Sequence, residues 1–118
     1  MEIFRTFTFD AAHRLPNLPE LHKCRRLHGH TFKVQVYVDG KVVENYNWVI
    51  DFSDIVKIVT PIIDQLDHNY LNDIDGLENP TSENIAKWLW EKIKPVLSIL
   101  SKIVVQESPN SGAIYQGE

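Results

Sequence analysis

At 118 residues the chain is long enough for one domain, spanning 1–118, with a real hydrophobic core, and too short for two. Hydrophobic residues make up 43% and charged residues 24%, an ordinary globular balance, and no apolar run approaches the ~20 residues that span a bilayer, so no membrane role is expected. A formal net charge of -4 argues against general nucleic-acid binding, and a single cysteine, Cys24, excludes an intrachain disulfide.

A lone thiol fits a reducing compartment, and the segment Met1-Glu2-Ile3-Phe4-Arg5 carries neither a basic leader nor an apolar signal core. The expected location is therefore cytoplasmic.

The first strand is predicted over Ile3–Ala12, with Phe7, Phe9 and Ala11 on one face and Thr6, Thr8 and Asp10 on the other. A loop over Arg14–Arg26 follows, punctuated by Pro16 and Pro19. Lys23, Arg25, Arg26 and Lys33 stand against one acid, Glu20, a local patch able to hold a small polyanion on an acidic protein. The second strand, His28–Val38, is the clearest element. His28, His30, Phe32, Val34, Val36 and Val38 share one face, and Thr31, Lys33, Gln35 and Tyr37 the other. Asp39-Gly40 is expected to turn the chain, with a short return strand through Val42-Val43 and a further one at Trp48-Val49-Ile50.

A first helix is expected from Ser53 as N-cap, with Asp54 in its first turn and Ile55, Val56, Ile58, Val59, Ile62, Ile63 and Leu66 at helical spacing. Pro61 lies inside that pattern and predicts a kink or an early break. The polar stretch Asp67 to Asn79 contains Asn72-Asp73-Ile74-Asp75-Gly76, which lacks the glutamate of a calcium loop and reads as a turn. A second helix is capped by Thr81 or Ser82, complemented by Glu83, and carries the stripe Ile85, Ala86, Leu89, Ile93, Val96 and Leu97. A strand over Lys102–Glu107 and a short one at Ala113-Ile114-Tyr115 complete the order. This is an α+β pattern, helices packed on one side of an antiparallel sheet, whose other face is left for self-association to cover.

His28-Gly29-His30 carries the chemistry. On a strand, residues two apart project to the same face about 6–7 Å apart, close enough for two imidazoles to meet one ion. Gly29 leaves open space on its own side. If the first strand stays regular to His13, that residue shares the face of Phe7, Phe9 and Ala11, and all three histidines look into one interior. Three neutral imidazoles without a fourth protein ligand suit zinc with a vacant position, the catalytic arrangement. The competing reading is a set of core histidines with satisfied ring nitrogens. His22, in the proline-bracketed loop, is expected to be exposed or to face a phosphate.

Cys24, beside Lys23, Arg25 and Arg26, sits where neighbouring cations favour a thiolate, both nucleophile and proton acceptor; otherwise it is a small buried hydrophobe. Asp67-His68 is a second titratable pair, in which a carboxylate can orient an imidazole. Glu107, ending an apolar strand, could accept two parallel hydrogen bonds from a guanidine-like edge such as the N2/N3 edge of a pterin.

Phe9-Asp10-Ala11-Ala12-His13, Cys24 through His28-Gly29-His30, Leu66-Asp67-His68, Asn79-Pro80-Thr81-Ser82-Glu83-Asn84 and Glu107 occur in the order of the 6-pyruvoyl-tetrahydropterin synthase family, which the chain resembles over its whole length. The spacing Cys24-Arg25-Arg26-Leu27-His28-Gly29-His30 is most similar to the family's 6-carboxy-tetrahydropterin branch, and a cysteine at this place is absent from the branch that acts as an aldolase. The resemblance implies the tunnelling fold, in which trimers close a β-barrel ringed by helices and commonly stack into hexamers. It implies 7,8-dihydroneopterin triphosphate as substrate and one zinc ion per subunit on His13, His28 and His30. Cys24 would accept a proton, and His68, Asp67 and Glu107 would complete a relay. Glu107, with Thr81, Ser82 and Glu83, would anchor the pterin, and Lys23, Arg25 or Arg26 would meet the triphosphate.

Triphosphate elimination followed by carbon–carbon cleavage with loss of acetaldehyde is the reaction of the carboxy branch, a step of queuosine biosynthesis. Two rivals remain: the pyruvoyl synthase reaction, which stops before cleavage, and a zinc- and pterin-binding module without turnover.

Overall fold

Strict alternation of apolar and polar residues builds the two longest strands, and their register decides what faces the interior. In the computed structural model, which describes Met1–Glu118, β1 (Glu2–His13) pairs antiparallel with β2 (His28–Asp39), so that Phe9 lies opposite Phe32, Ala11 opposite His30 and His13 opposite His28. α1 (Phe52–Asp64) and α2 (Ser82–Ile93) come next, followed by β3 (Leu100–Ser108) and β4 (Ser111–Tyr115). Single 3₁₀ turns sit at Lys23–Arg25 and Leu71–Asp73. The sheet runs β1-β2-β3-β4, antiparallel throughout. No helix is long and apolar enough to cross a membrane.

One cluster of 22 buried residues joins the inner face of the sheet to both helices, and Phe9 and Phe32 stack within it at a centroid separation of 4.8 Å. Phe32 is fully buried and also meets the rings of His13 and His30 edge-on, each at 5.5 Å. Truncation here leaves a cavity the rigid sheet cannot close. Phe32→Ala is expected to lower stability by about 3–5 kcal/mol, read as a shifted urea midpoint with an unchanged slope.

The return strand through Val42-Val43 and the strand at Trp48-Val49-Ile50 do not form; a single bridge, Val43 to Trp48, marks that segment. The reason is topological. β2 is flanked by β1 and β3, and beyond its end Asp39 N–H reaches Ile99 O at 2.9 Å while Gly40 N–H reaches Met1 O at 3.1 Å. No free edge remains for a hairpin.

The N-cap of α1 is Asp51 rather than Ser53, its carboxylate accepting from Ser53 N–H at 2.9 Å. Pro61 does not end the helix, which runs three residues further; its ring is exposed, while Ile62 and Ile63 are buried and hold the last turn on the core. In α2 the cap is Thr81, whose Oγ1 accepts from Asn84 N–H at 3.1 Å. Val96 falls outside the stripe at 58% exposure, because the helix closes at Ile93 and the chain turns; Trp88 takes a buried place instead.

The outer face of the sheet carries Thr6, Thr8, Thr31, Lys33 and Gln35. Phe4, Tyr37 and Ile114 stand on the same face, with Phe4 and Ile114 exposed, so apolar surface remains there for a partner to cover.

Candidate metal and catalytic site

The β1–β2 register alone assembles the three imidazoles. Ring centroids of His13, His28 and His30 lie 4.5, 4.9 and 5.1 Å apart pairwise, and one nitrogen from each falls within 4.8 Å of the others. His13 Nδ1–H donates to Pro80 O at 2.8 Å and His28 Nδ1–H to Arg26 O at 2.6 Å. A carbonyl can only accept, so each of these rings presents Nε2 as a bare lone pair. The Nε2 atoms of His13 and His30 are buried without a hydrogen-bond partner. A buried unpaired acceptor costs about 1–3 kcal/mol, which a cation would recover. These are not core histidines with satisfied rings. Three imidazole nitrogens, with no thiolate or carboxylate oxygen inside the same 4.8 Å grouping, fit zinc with a place left for another ligand.

Burial holds His13 below the ordinary histidine range, with the nearby imidazoles adding to that and Pro80 O and Glu107 opposing it. The sign follows directly. The folded chain resists protonating His13, while the unfolded chain takes the proton below about pH 6.5. The metal-free protein should therefore lose stability as pH falls from 6.5 toward the folded value, by up to about 1.4 kcal/mol per pH unit. Urea midpoints at pH 7.5 and 5.5 measure this, and equal midpoints would contradict it.

Glu107 borders the cluster. Its Oε1 accepts from Ser82 Oγ–H at 3.1 Å, and its Oε2 stands 3.6 Å from His30 Nε2. The half-buried carboxylate opens on a cavity of about 270 Å³ shared with Ser82, Glu83, Ser111, Gly112 and Ala113. Thr81 does not line this cavity; its hydroxyl accepts the cap hydrogen bond from Asn84 N–H. Gly112 is required: a Cβ there would lie 2.7 Å from Gln106 Cγ and 2.8 Å from Val105 O. The β3–β4 hairpin closes over a register shift between Val105 and Ser108, the stretch that carries Glu107.

Cys24 is half-buried on the 3₁₀ turn, its N–H donating to His22 Nδ1 at 3.1 Å and its carbonyl accepting from Leu15 N–H at 2.8 Å. His22 is exposed, as expected. Of the neighbouring cations, Arg25 is tied to Leu18 O at 2.9 Å, leaving Lys23 and Arg26 exposed. Asn72 clamps the loop's start, accepting from Arg14 N–H at 2.9 Å and donating to Arg14 O at 2.8 Å. Neither Asn72 nor Pro80 stood out in the sequence; only the Asn79-Pro80-Thr81 run before the helix cap hinted at a fixed carbonyl.

Asp67 and His68 do meet, Oδ1 to Nδ1 at 3.0 Å, but on the outer side of β1, where Asp10 alternates with buried Phe9 and Ala11. The N–H of Asp10, and then His68, hold the Asp67 carboxyl below the usual carboxylate range. His68 lines an open cavity of about 580 Å³ with Asp10, Gly29, Thr31 and Tyr70. No hydrogen bond joins His68 to Cys24 or to the imidazole cluster. The chain thus carries two half-sites, one inside the sheet and one outside.

The family described as 6-pyruvoyl tetrahydropterin synthase matches residues 2–118. The chain is 41% identical to a 6-carboxy-5,6,7,8-tetrahydropterin synthase from Synechocystis, with 96% of this chain and 91% of that protein covered. It is also 41% identical to a dihydroneopterin monophosphate aldolase from Pyrococcus furiosus, over 74% of this chain and 69% of the other. The solved 6-pyruvoyl tetrahydropterin synthase of Caenorhabditis elegans superposes with a TM-score of 0.91 at 30% identity, covering 100% and 96% of the two chains.

Proposed function

The chain belongs to the 6-pyruvoyl tetrahydropterin synthase family, and we propose that it is a zinc-dependent lyase of the 6-carboxy branch. With one water as co-reactant, it converts 7,8-dihydroneopterin triphosphate to 6-carboxy-tetrahydropterin, acetaldehyde and triphosphate, on the route to the 7-deazapurine queuosine; the water supplies the second carboxyl oxygen as the side-chain carbon–carbon bond breaks. The observation that carries this reading is the inward imidazole cluster with unpaired Nε2 atoms beside Glu107. The carboxy branch is favoured by the 41% identity to the Synechocystis enzyme over nearly the whole chain and by the short Cys24-to-His28 spacing.

A divalent ion on His13, His28 and His30 would supply Lewis acidity toward the hydroxyls of the bound side chain. The protein does the rest. Glu107 accepts the N–H donors of the pterin edge, with Ser82 fixing one carboxylate oxygen and Glu83 at the rim. Lys23 and Arg26 face the triphosphate and ease its departure. Cys24 accepts a proton from the side chain, and His68, oriented by Asp67, holds and returns one. Proton transfers that reduce the ring while oxidising the side chain balance internally, so no redox cofactor takes part.

Because His68 lies on the outer face, a second copy laying that face against this inner site would complete the relay. A homo-oligomer, trimer or hexamer, in the cytoplasm follows from this reading.

Product identification tests it. The purified protein, given dihydroneopterin triphosphate, is expected to yield acetaldehyde and triphosphate by mass spectrometry. Triphosphate without acetaldehyde would place it with the pyruvoyl synthases. A side-chain fragment still bearing phosphate would mark an aldolase, and an unchanged substrate a binding module.

A further inference from the structure

We propose that Asp10, locked by Thr31, is a positioning residue for the His68 imidazole, a role that rests on reading Asp67 and His68 as the proton-transfer pair. Main-chain contacts come first. Asp10 N–H donates to Asp67 Oδ1 at 3.0 Å, and Asp10 O accepts from His68 N–H at 2.6 Å. A single residue of β1 therefore brackets the dipeptide. Ala12 continues the contact, donating to Asn69 O at 3.3 Å and bridging to Tyr70, so that the segment after α1 lies along β1 as an added edge. These bonds hold His68 at φ 59°, a left-handed conformation in which non-glycine residues are uncommon.

The side chains add a second layer. Asp10 and Thr31 are directly opposed across β1 and β2, and Thr31 Oγ–H donates to Asp10 Oδ1. An oxygen of Asp10, an oxygen of Asp67 and a ring nitrogen of His68 all lie within 4.8 Å of one another. The imidazole is 78% exposed, and a ring so exposed samples several rotamers unless polar groups confine it. Asp67 binds Nδ1 from its own segment, and Asp10 supplies a carboxylate from the neighbouring strand. The other titratable residue facing the cavity is Tyr70; His30 borders it from β2, its ring packed in the inner cluster against His13, His28 and Phe32.

The core does not explain this arrangement. Asp10 and Thr31 are both exposed, on the face opposite Phe9, Ala11 and Phe32. Nor does local packing demand glycine at 29, where a Cβ would meet only Ala11 O, at an ordinary 3.5 Å. Gly29 keeps the cavity beside His68 open. An imidazole fixed over open space acts on whatever enters that space, and proton transfer depends steeply on its placement.

Asp10→Ala, Thr31→Val and the double variant test the proposal together. Asp10→Ala should lower kcat about tenfold and leave KM within about twofold, because substrate is held elsewhere. Thr31→Val should lower kcat several-fold, and the double variant should be no slower than Asp10→Ala, since Thr31 acts through Asp10. Independently of turnover, long-range ¹H–¹⁵N spectra of the histidine rings should show His68 as one tautomer protonated at Nδ1 in the parent and as an exchange-averaged ring in Asp10→Ala. A parent that releases no triphosphate refutes the functional reading, and the ring spectrum then decides the positioning role alone. Unchanged ring signals in Asp10→Ala, a loss appearing in KM, or losses that add in the double variant would each overturn it.

Discussion

Replacing Cys24 by alanine is expected to lower turnover by about 10²–10⁴-fold while metal content and melting temperature stay near those of the parent, as for removal of a general acid–base group. The structure makes this a clean substitution. The turn is built from backbone: Cys24 N–H to His22 Nδ1 and Leu15 N–H to Cys24 O, both of which survive loss of the thiol. Cys24 is also not among the donors that converge with the three histidines. Triphosphate release under saturating substrate gives the rate, and metal analysis of the same sample gives the control. A variant at full speed would remove the thiol from the reaction and favour a branch of the family that works without it. A variant that loses its metal would make Cys24 a ligand instead.

The second large effect is expected at His28. Its ring is half-buried and its one hydrogen bond goes to Arg26 O, so His28→Ala removes a donor without opening the core. His13, fully buried and bonded to Pro80, would confound ligand loss with misfolding. If a zinc-binding free energy of about 10–16 kcal/mol is shared among four ligands, one imidazole accounts for about 2.5–4 kcal/mol. Affinity should then fall about 10²–10³-fold in competition with a chromophoric chelator, and turnover should vanish at limiting metal and return in part with excess. Unaltered affinity would mean that the cluster is not where a cation binds.

What could be read in advance was whatever depends on alternation. Phe9, Ala11 and His13 face inward with His28, His30 and Phe32 because parity on a strand is rigid, and antiparallel pairing of β1 with β2 does the rest. Contacts between elements could not be read this way. The hairpin expected at Val42-Val43 fails because β2 is central in the sheet, a fact of topology rather than of local sequence. Asp51 displaces Ser53 as the cap because both residues suit that position and only the chain's entry angle chooses. The residues that fix the site at long range, Pro80 to His13, Asn72 to Arg14 and Asp10 to the Asp67-His68 pair, lie 57 or more positions from their partners, and no spacing rule reaches that far. The chemistry assigned to Cys24, His68 and Glu107 came from the order of motifs, since their adjacency in sequence says little about where they meet.

X-ray absorption at the zinc edge of the metal-loaded protein tests the central claim most directly. Three imidazole nitrogens and an exchangeable oxygen ligand, one ion per chain, is the expected first coordination sphere. A sulfur or carboxylate donor from the protein closing that sphere, or fewer than three imidazoles within it, would contradict the account.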